Sequence, residues 1–141
     1  MKEVPLFHLA IPVKNLAESR SFYSQRLKLK EGRSSKHWID YNFGGHQLVI
    51  HEVPQYEPLI FSNEVDDQKV PVPHFGLILD WFFFDEFSAQ LNLENIDYII
   101  SPCIRFQNQP GEQKVLFFKD PSGNALEFKA YKNTNEIFTA R

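Results

Sequence analysis

Three residues far apart in the chain carry groups that bind divalent cations: His8, His74 and Glu127. Each lies in a short apolar run that reads as a β-strand, respectively "LFHLAIPV", "HFGLILD" and "NALEFKAY". Strand side chains alternate between faces. If Phe7, Leu9 and Ile11 pack inward, His8 and Ala10 face the other way. By the same parity Phe75, Leu77 and Leu79 leave His74, Gly76 and Ile78 on the opposite side, and Leu126 with Phe128 leave Ala125, Glu127 and Lys129 there. An ionised carboxylate in an enclosed cleft is costly unless it is paired, and neutral imidazoles bring no counter-charge. The trio therefore calls for a divalent metal. A lone His8 would be an ordinary core histidine; the case rests on three separate parity arguments agreeing.

The elements that must position these groups follow from pattern. After the first strand, "NLAESRSFYSQRLKLKEG" offers Asn15 as N-cap and Glu18 as its capping-box partner. Leu16, Phe22, Tyr23 and Leu27 form one apolar face, and the helix is expected to end near Gly32. A strand around Glu31 to Ser34, "HWIDYNF", the Gly44-Gly45 turn and "HQLVIHEV" complete a βαβββ order. The polar, proline-rich stretch at about 55–70 reads as a linker or lid loop. The order then repeats: a strand from His74, a helix over Trp81 to Leu93 capped by Asp80, "DYIISP", "QKVLFFKD", the "PSG" turn and the final strand. Aligning His8 with His74, and "GGHQLVI" with "SGNALEF", makes the chain two copies of one unit. The expected fold class is α+β: paired βαβββ modules whose mixed sheets curl around a metal-binding cavity. That gives a single domain over 1–141, with module one at about 4–54 and module two at about 71–131.

Composition narrows the function classes. Fifteen Lys and Arg against eighteen Asp and Glu, with no basic run, argue against nucleic acid as a partner. No apolar run approaches the roughly 20 residues of a membrane span, and "MKEVPLFHLAIPVKN" lacks a signal-peptide core, so a cytoplasmic protein without membrane contact is expected. Cys103 is the only cysteine, which removes disulfides and thiolate zinc clusters. His37 and His46 read as structural or exposed. Arg105 and Gln113 flank the loop "RFQNQPGEQ" and are candidates for an anionic or polar substrate group, although solvated loop polars are the commoner case. The "WFFF" run at Trp81 to Phe84 reads as core, or as a surface that meets a second subunit in a homodimer.

The stretches "HLAIPVKNLAESRSFY", "RLKLKEG", "VPHFGLIL" and "FFKDPSGNALEF" resemble the vicinal oxygen chelate superfamily, which includes glyoxalases, extradiol dioxygenases and fosfomycin and bleomycin resistance proteins. The likeness spans nearly the whole chain. With "GHQLVIHEV", "VPVPHFG", "GEQ" and "DPSGNALEFKAY" it is strongest to small extradiol-type dioxygenases. The resemblance implies metal ligands on the first strand of each module and the last strand of the second, which fall on His8, His74 and Glu127.

Glyoxalase-type members add a fourth ligand at the repeat mate of the last glutamate, and here that position is Val49. Two His and one carboxylate then remain, a facial triad suited to Fe(II), although Mn, Zn or Ni can occupy such ligands. The implied function is an extradiol-type dioxygenase acting with dioxygen on a small, aromatic, vicinal-oxygen substrate. A glyoxalase-like lyase, isomerase or transferase and a ligand-sequestering protein of the bleomycin-resistance type are the alternatives. His51 and Gln47 share the face of Val49 and are both candidates to reach the metal's open side. His51 is the candidate catalytic acid/base, with a fourth-ligand or strand-end role as alternatives. Resembling extradiol enzymes carry a Tyr where this chain has Phe117, so one hydrogen-bond donor of that group is missing.

Overall fold

The computed structural model describes residues 3–140. The chain divides after Pro58 into two compact units. In the first, strand β1 (His8–Val13) leads into helix α1 (Leu16–Arg20), which continues as a π-helical segment over Ser21–Arg26. Strands β2 (Lys30–Ser34), β3 (Trp38–Phe43) and β4 (His46–Glu52) follow. The second unit opens with a hairpin of β5 (Phe61–Val65) and β6 (Gln68–Val72). It continues with β7 (Phe75–Ile78), α2 (Phe83–Leu93), β8 (Tyr98–Arg105), β9 (Gln113–Lys119), β10 (Ala125–Tyr131) and a 3-10 turn at Thr134–Glu136.

The repeat expected from sequence is present in the topology. The first sheet runs β1-β4-β3-β2 and the second β7-β10-β9-β8, so corresponding strands hold corresponding places. In both, the first and last strands pair in parallel. The registers also correspond: Leu9 pairs with Leu48 and Ala10 with Val49 in one unit, Phe75 with Leu126 and Gly76 with Glu127 in the other. Val49 therefore occupies, in its own sheet, the place that Glu127 occupies in the second.

Helix α1 starts where Asn15 Oδ1 accepts the Glu18 N–H at 2.9 Å, and Glu52 Oε2 accepts the Leu16 N–H at 2.8 Å, tying the helix to the end of β4. Its apolar face, Leu16, Phe22, Tyr23 and Leu27, is buried against Ile39, Tyr41 and Ile50 of the sheet's inner side. The helix stops earlier than the glycine at 32 suggests. Lys28 takes a positive φ of 59°, turning the chain before Gly32, which lies inside β2. Helix α2 begins two residues later than expected, with Asp80 Oδ2 accepting the Phe82 and Phe83 N–H groups. The "WFFF" run divides: Phe84 is buried, whereas Phe82 and Phe83 are exposed. Phe84, Leu91, Leu116, Phe118, Leu126 and Phe128 form the second core.

Two loop expectations meet the structure differently. The turn "DPSGN" is held by Asp120, whose Oδ1 accepts the Ser122 and Asn124 N–H groups, both at 2.9 Å, while Gly123 takes φ of 91°. The stretch read as a linker instead contains the β5–β6 hairpin. Its two-residue turn, Asp66-Asp67, has both φ values positive, the geometry of a tight I′ turn.

Candidate metal centre

In the first unit His8 stands at the start of β1, directly across from Gln47. Its Nδ1 lies 2.7 Å from Gln47 Oε1. An amide oxygen only accepts, so Nδ1–H donates to it and Nε2 is turned to the other side of the ring. His46, expected to be structural, accepts the Phe7 N–H at 2.9 Å and so fixes the entry to β1. His37 stands 3.6 Å from Glu52.

In the second unit His74 is arranged the same way. The Pro71 carbonyl at the end of the hairpin lies 2.6 Å from His74 Nδ1, so Nδ1–H donates there and Nε2 is left to face Glu127. That Nε2 is 3.4 Å from Glu127 Oε1, a carboxylate only 9% exposed. Glu127 raises the His74 pKa above the usual imidazole range, first through this contact; burial and Lys129 oppose the shift, and the Pro71 bond adds to it. Lys129 Nζ reaches the same carboxylate oxygen at 3.7 Å. Phe117, across from Glu127 on β9, is fully buried and meets the His74 ring edge-on at 5.0 Å.

The donor set suits a divalent ion. Two ligand atoms each about 2.1 Å from one ion and roughly 105° apart stand about 3.3 Å from each other. The 3.4 Å between His74 Nε2 and Glu127 Oε1 matches that span. Fixing Nδ1 by a hydrogen bond is also how proteins set the tautomer and orientation of a ligating histidine. The structure thus brings two of the three expected ligands together within one unit, with His8 in the other unit. Among the described residues no group of three or more His, Cys, Asp and Glu side chains gathers as a metal site.

His51 lies on the same face of β4 as Gln47 and Val49, exposed and paired with Pro12 and Trp38. Four residues separate it from Gln47, roughly 13 Å of strand. Val49 is buried and pairs with Asp40 on that face, an acid that sequence inspection passed over for want of the β3–β4 register. Lys129 sat on the predicted face but was not read as Glu127's partner; two-residue spacing on one strand was the available signal. The acceptor roles of Gln47 and Pro71 had none.

Comparison with known proteins follows from this geometry. No family model matches the chain, and no curated protein matches it. Among solved structures, a glyoxalase/bleomycin resistance protein/dioxygenase from Alicyclobacillus acidocaldarius is 31% identical, over 95% of this chain and 96% of that one, with a TM-score of 0.79. The chain belongs to that family, part of the vicinal oxygen chelate superfamily. A genomically encoded fosfomycin resistance protein from Listeria monocytogenes shares the superfamily fold at 17% identity, over 96% of this chain and 98% of its own, with a TM-score of 0.68. A glyoxalase/dioxygenase from Nostoc punctiforme shares it at 19% identity, over 92% of each chain, with a TM-score of 0.67. Vicinal oxygen chelate proteins typically bind divalent metals and include both enzymes and non-catalytic members. No helix of the described residues is long and apolar enough to cross a membrane.

Proposed function

We propose that this protein is a metal-dependent dioxygenase of extradiol type, acting on a small aromatic molecule with two vicinal oxygens, with Fe(II) held by His8, His74 and Glu127. The observation that carries this reading is the common preparation of the two imidazoles. Each has Nδ1 engaged by an acceptor, which turns Nε2 to the other side of the ring, and Nε2 of His74 there meets a buried carboxylate at 3.4 Å. Val49 in the place related to Glu127 keeps the protein ligands at three, the number that leaves open positions for substrate and oxygen.

When bound, the metal would supply Lewis acidity, lowering the pKa of a substrate hydroxyl and holding the reactants side by side. The chain's own residues do the rest. Phe117, itself fully buried, packs edge-on against His74 and fixes the plane of its imidazole. Gln47 and the Pro71 carbonyl hold the histidine tautomers. Lys129 pairs with Glu127 at 3.7 Å and must yield that contact for the carboxylate to hold a metal. His51 is the acid/base of this reading, standing roughly 13 Å along β4 from Gln47.

The Lys129 contact also favours a second reading. A carboxylate already paired with Lys129 and His74 has counter-charge without a metal, as a ligand-sequestering protein would need. Anaerobic purification with elemental analysis, followed by oxygen uptake on a catechol panel, separates these readings. Stoichiometric metal with uptake is expected. Metal without uptake points to a glyoxalase-like lyase, isomerase or transferase, and neither points to sequestration. Full metal retention in His74→Ala would sink the proposed triad.

A further inference from the structure

Arg105, the last residue of β8, is only 5% exposed. Its Nε and Nη2 both donate to one acceptor, Gln68 Oε1 of the hairpin strand β6, at 3.1 and 2.7 Å. Its guanidinium carbon lies 5.7 Å from the centroid of the Phe117 ring, the same ring whose centroid is 5.0 Å from that of His74. No carboxylate pairs with it among the described residues. This sets it apart from the buried acids of the same unit, since Glu112 faces Lys132 at 3.6 Å and Glu127 faces Lys129 at 3.7 Å. A neutral amide orients a guanidinium without neutralising it, and a cation–π contact offsets only part of the cost of burying the charge.

The fork is also half used. Gln68 occupies the Nε–Nη2 edge and leaves the Nη1–Nη2 edge, which is the one that grips a carboxylate end-on with two parallel bonds. Among the described residues Ser19 Oγ is the only sealed side-chain polar atom without a partner, so Nη1 of Arg105 is not sealed from solvent. Gln68 is itself braced by Cys103, 3.8 Å from its Nε2, which holds the guanidinium in place before any ligand arrives.

We propose that Arg105 is the anchor for a carboxylate on the substrate, so that the molecule bound beside His74 is a small aromatic acid rather than a neutral phenol. The proposal rests on the reading of the His74 and Glu127 face as the substrate site. Arg105 binds and orients; it takes no part in bond making.

The test is calorimetric titration of the full chain, both metal-replete and stripped by a chelator that is then dialysed away. The probes are benzoate, its uncharged analogue benzyl alcohol, and inorganic phosphate. Benzoate should bind about 10- to 100-fold more tightly than benzyl alcohol in both forms, the range of a charge-assisted bidentate contact. Arg105→Gln should remove that difference and leave benzyl alcohol unchanged, and Arg105→Lys should recover part of it. Equal affinity of the wild type for benzoate and benzyl alcohol would overturn the proposal, as would unchanged benzoate binding in Arg105→Gln. Phosphate binding as tightly as benzoate would overturn the aromatic-acid assignment. If Arg105→Gln does not fold, the Arg105 Nε–H resonance of the wild type, assigned with Arg105→Lys, must move on saturation with benzoate, and an unmoved resonance refutes the anchor. Arg105-dependent benzoate binding in a protein that takes up neither metal nor oxygen would remove the dioxygenase reading alone. Turnover of a carboxylated catechol undiminished in Arg105→Gln would remove this one alone.

Discussion

Gly76 is where strand pairing and site geometry meet. It pairs with Glu127 in the parallel β7–β10 ladder, two residues after His74. A Cβ placed on Gly76 would overlap the Glu127 carbonyl oxygen and lie 2.5 Å from the Glu127 carbonyl carbon, with the Glu127 nitrogen at 3.2 Å. All three are backbone atoms, so no rotamer can relieve the clash. The overlapped carbonyl oxygen sets the larger demand, since a carbon must stand roughly 3.2 Å or more from it, so in Gly76→Ala the strands must part by roughly 2 Å. If His74 moves with its strand, the 3.4 Å to Glu127 Oε1 opens to about 5 Å. Two bonds of about 2.1 Å to one ion span at most about 4.2 Å even in a straight line.

The substitution should therefore damage stability and chelation together. Overpacking against backbone should cost about 1–3 kcal/mol. For a chain of this size that is a Tm lower by roughly 3–10 °C. Metal content after dialysis should fall well below stoichiometric. The control is Gly45→Ala. Gly45 has a positive φ of 89° but nothing within 4 Å of the new Cβ, so only backbone strain of about 1–2 kcal/mol is expected, with metal binding intact. Thermal melts followed by circular dichroism, with elemental analysis of the same samples, read both quantities. A Gly76→Ala protein with wild-type Tm would refute the close approach of β7 and β10. One with a lowered Tm and full metal would show that the ion is not shared by His74 and Glu127.

Three further outcomes are expected. Val49→Glu puts a second acid beside Asp40 in a buried place; it should destabilise the metal-free protein, be rescued by metal, and suppress oxygen uptake by filling an open position, whereas unchanged uptake with the new carboxylate on the metal would show that the chemistry lies elsewhere. His51→Gln should keep the metal and lower turnover by about 10²- to 10⁴-fold, the usual general acid–base range, and a variant with turnover intact would return His51 to a structural role. Glu31, bonded by Ser24 Oγ at 2.7 Å and by Arg20, has a lowered pKa, first from Ser24 and then from Arg20. A depressed folded-state pKa contributes stability above the unfolded value of about 4.3 that is lost as pH falls through the folded one. The Tm gap between wild type and Glu31→Gln, worth about 0.2–1 kcal/mol for so exposed a pair, should be full at neutral pH and close in acid, and a gap that persists in acid would contradict it.

The residues legible in the sequence are those fixed by local alternation. His8, His74 and Glu127 could be assigned a face because their strands alternate strictly around them, and Val49 could be matched to Glu127 because both registers are set by a glycine turn and a leucine that recur in the two halves. What the sequence hid depends on contacts between distant segments or on unusual backbone. Lys28 ends its helix at positive φ without being glycine, so the visible signal, Gly32, pointed four residues too far. The β5–β6 hairpin carries only a few apolar residues, Phe61, Val65, Val70 and Val72, among polar ones and prolines, and its Asp-Asp turn lacks the glycine that normally announces one.

That hairpin bears on more than topology. Gln68 and Pro71 both belong to it, and they fix the Arg105 guanidinium and the His74 tautomer respectively. A segment that composition marks as a linker therefore orients both groups assigned here to ligand and metal. The two contacts are independent, one made by a side chain and one by a backbone carbonyl. Substituting Gln68 should loosen Arg105 and spare His74, whereas deleting the hairpin should release both. In the hairpin register Gln68 shares its face with Phe61, Val65, Val70 and Val72, so one amide among mostly apolar neighbours supplies the acceptor that holds a buried guanidinium without neutralising it.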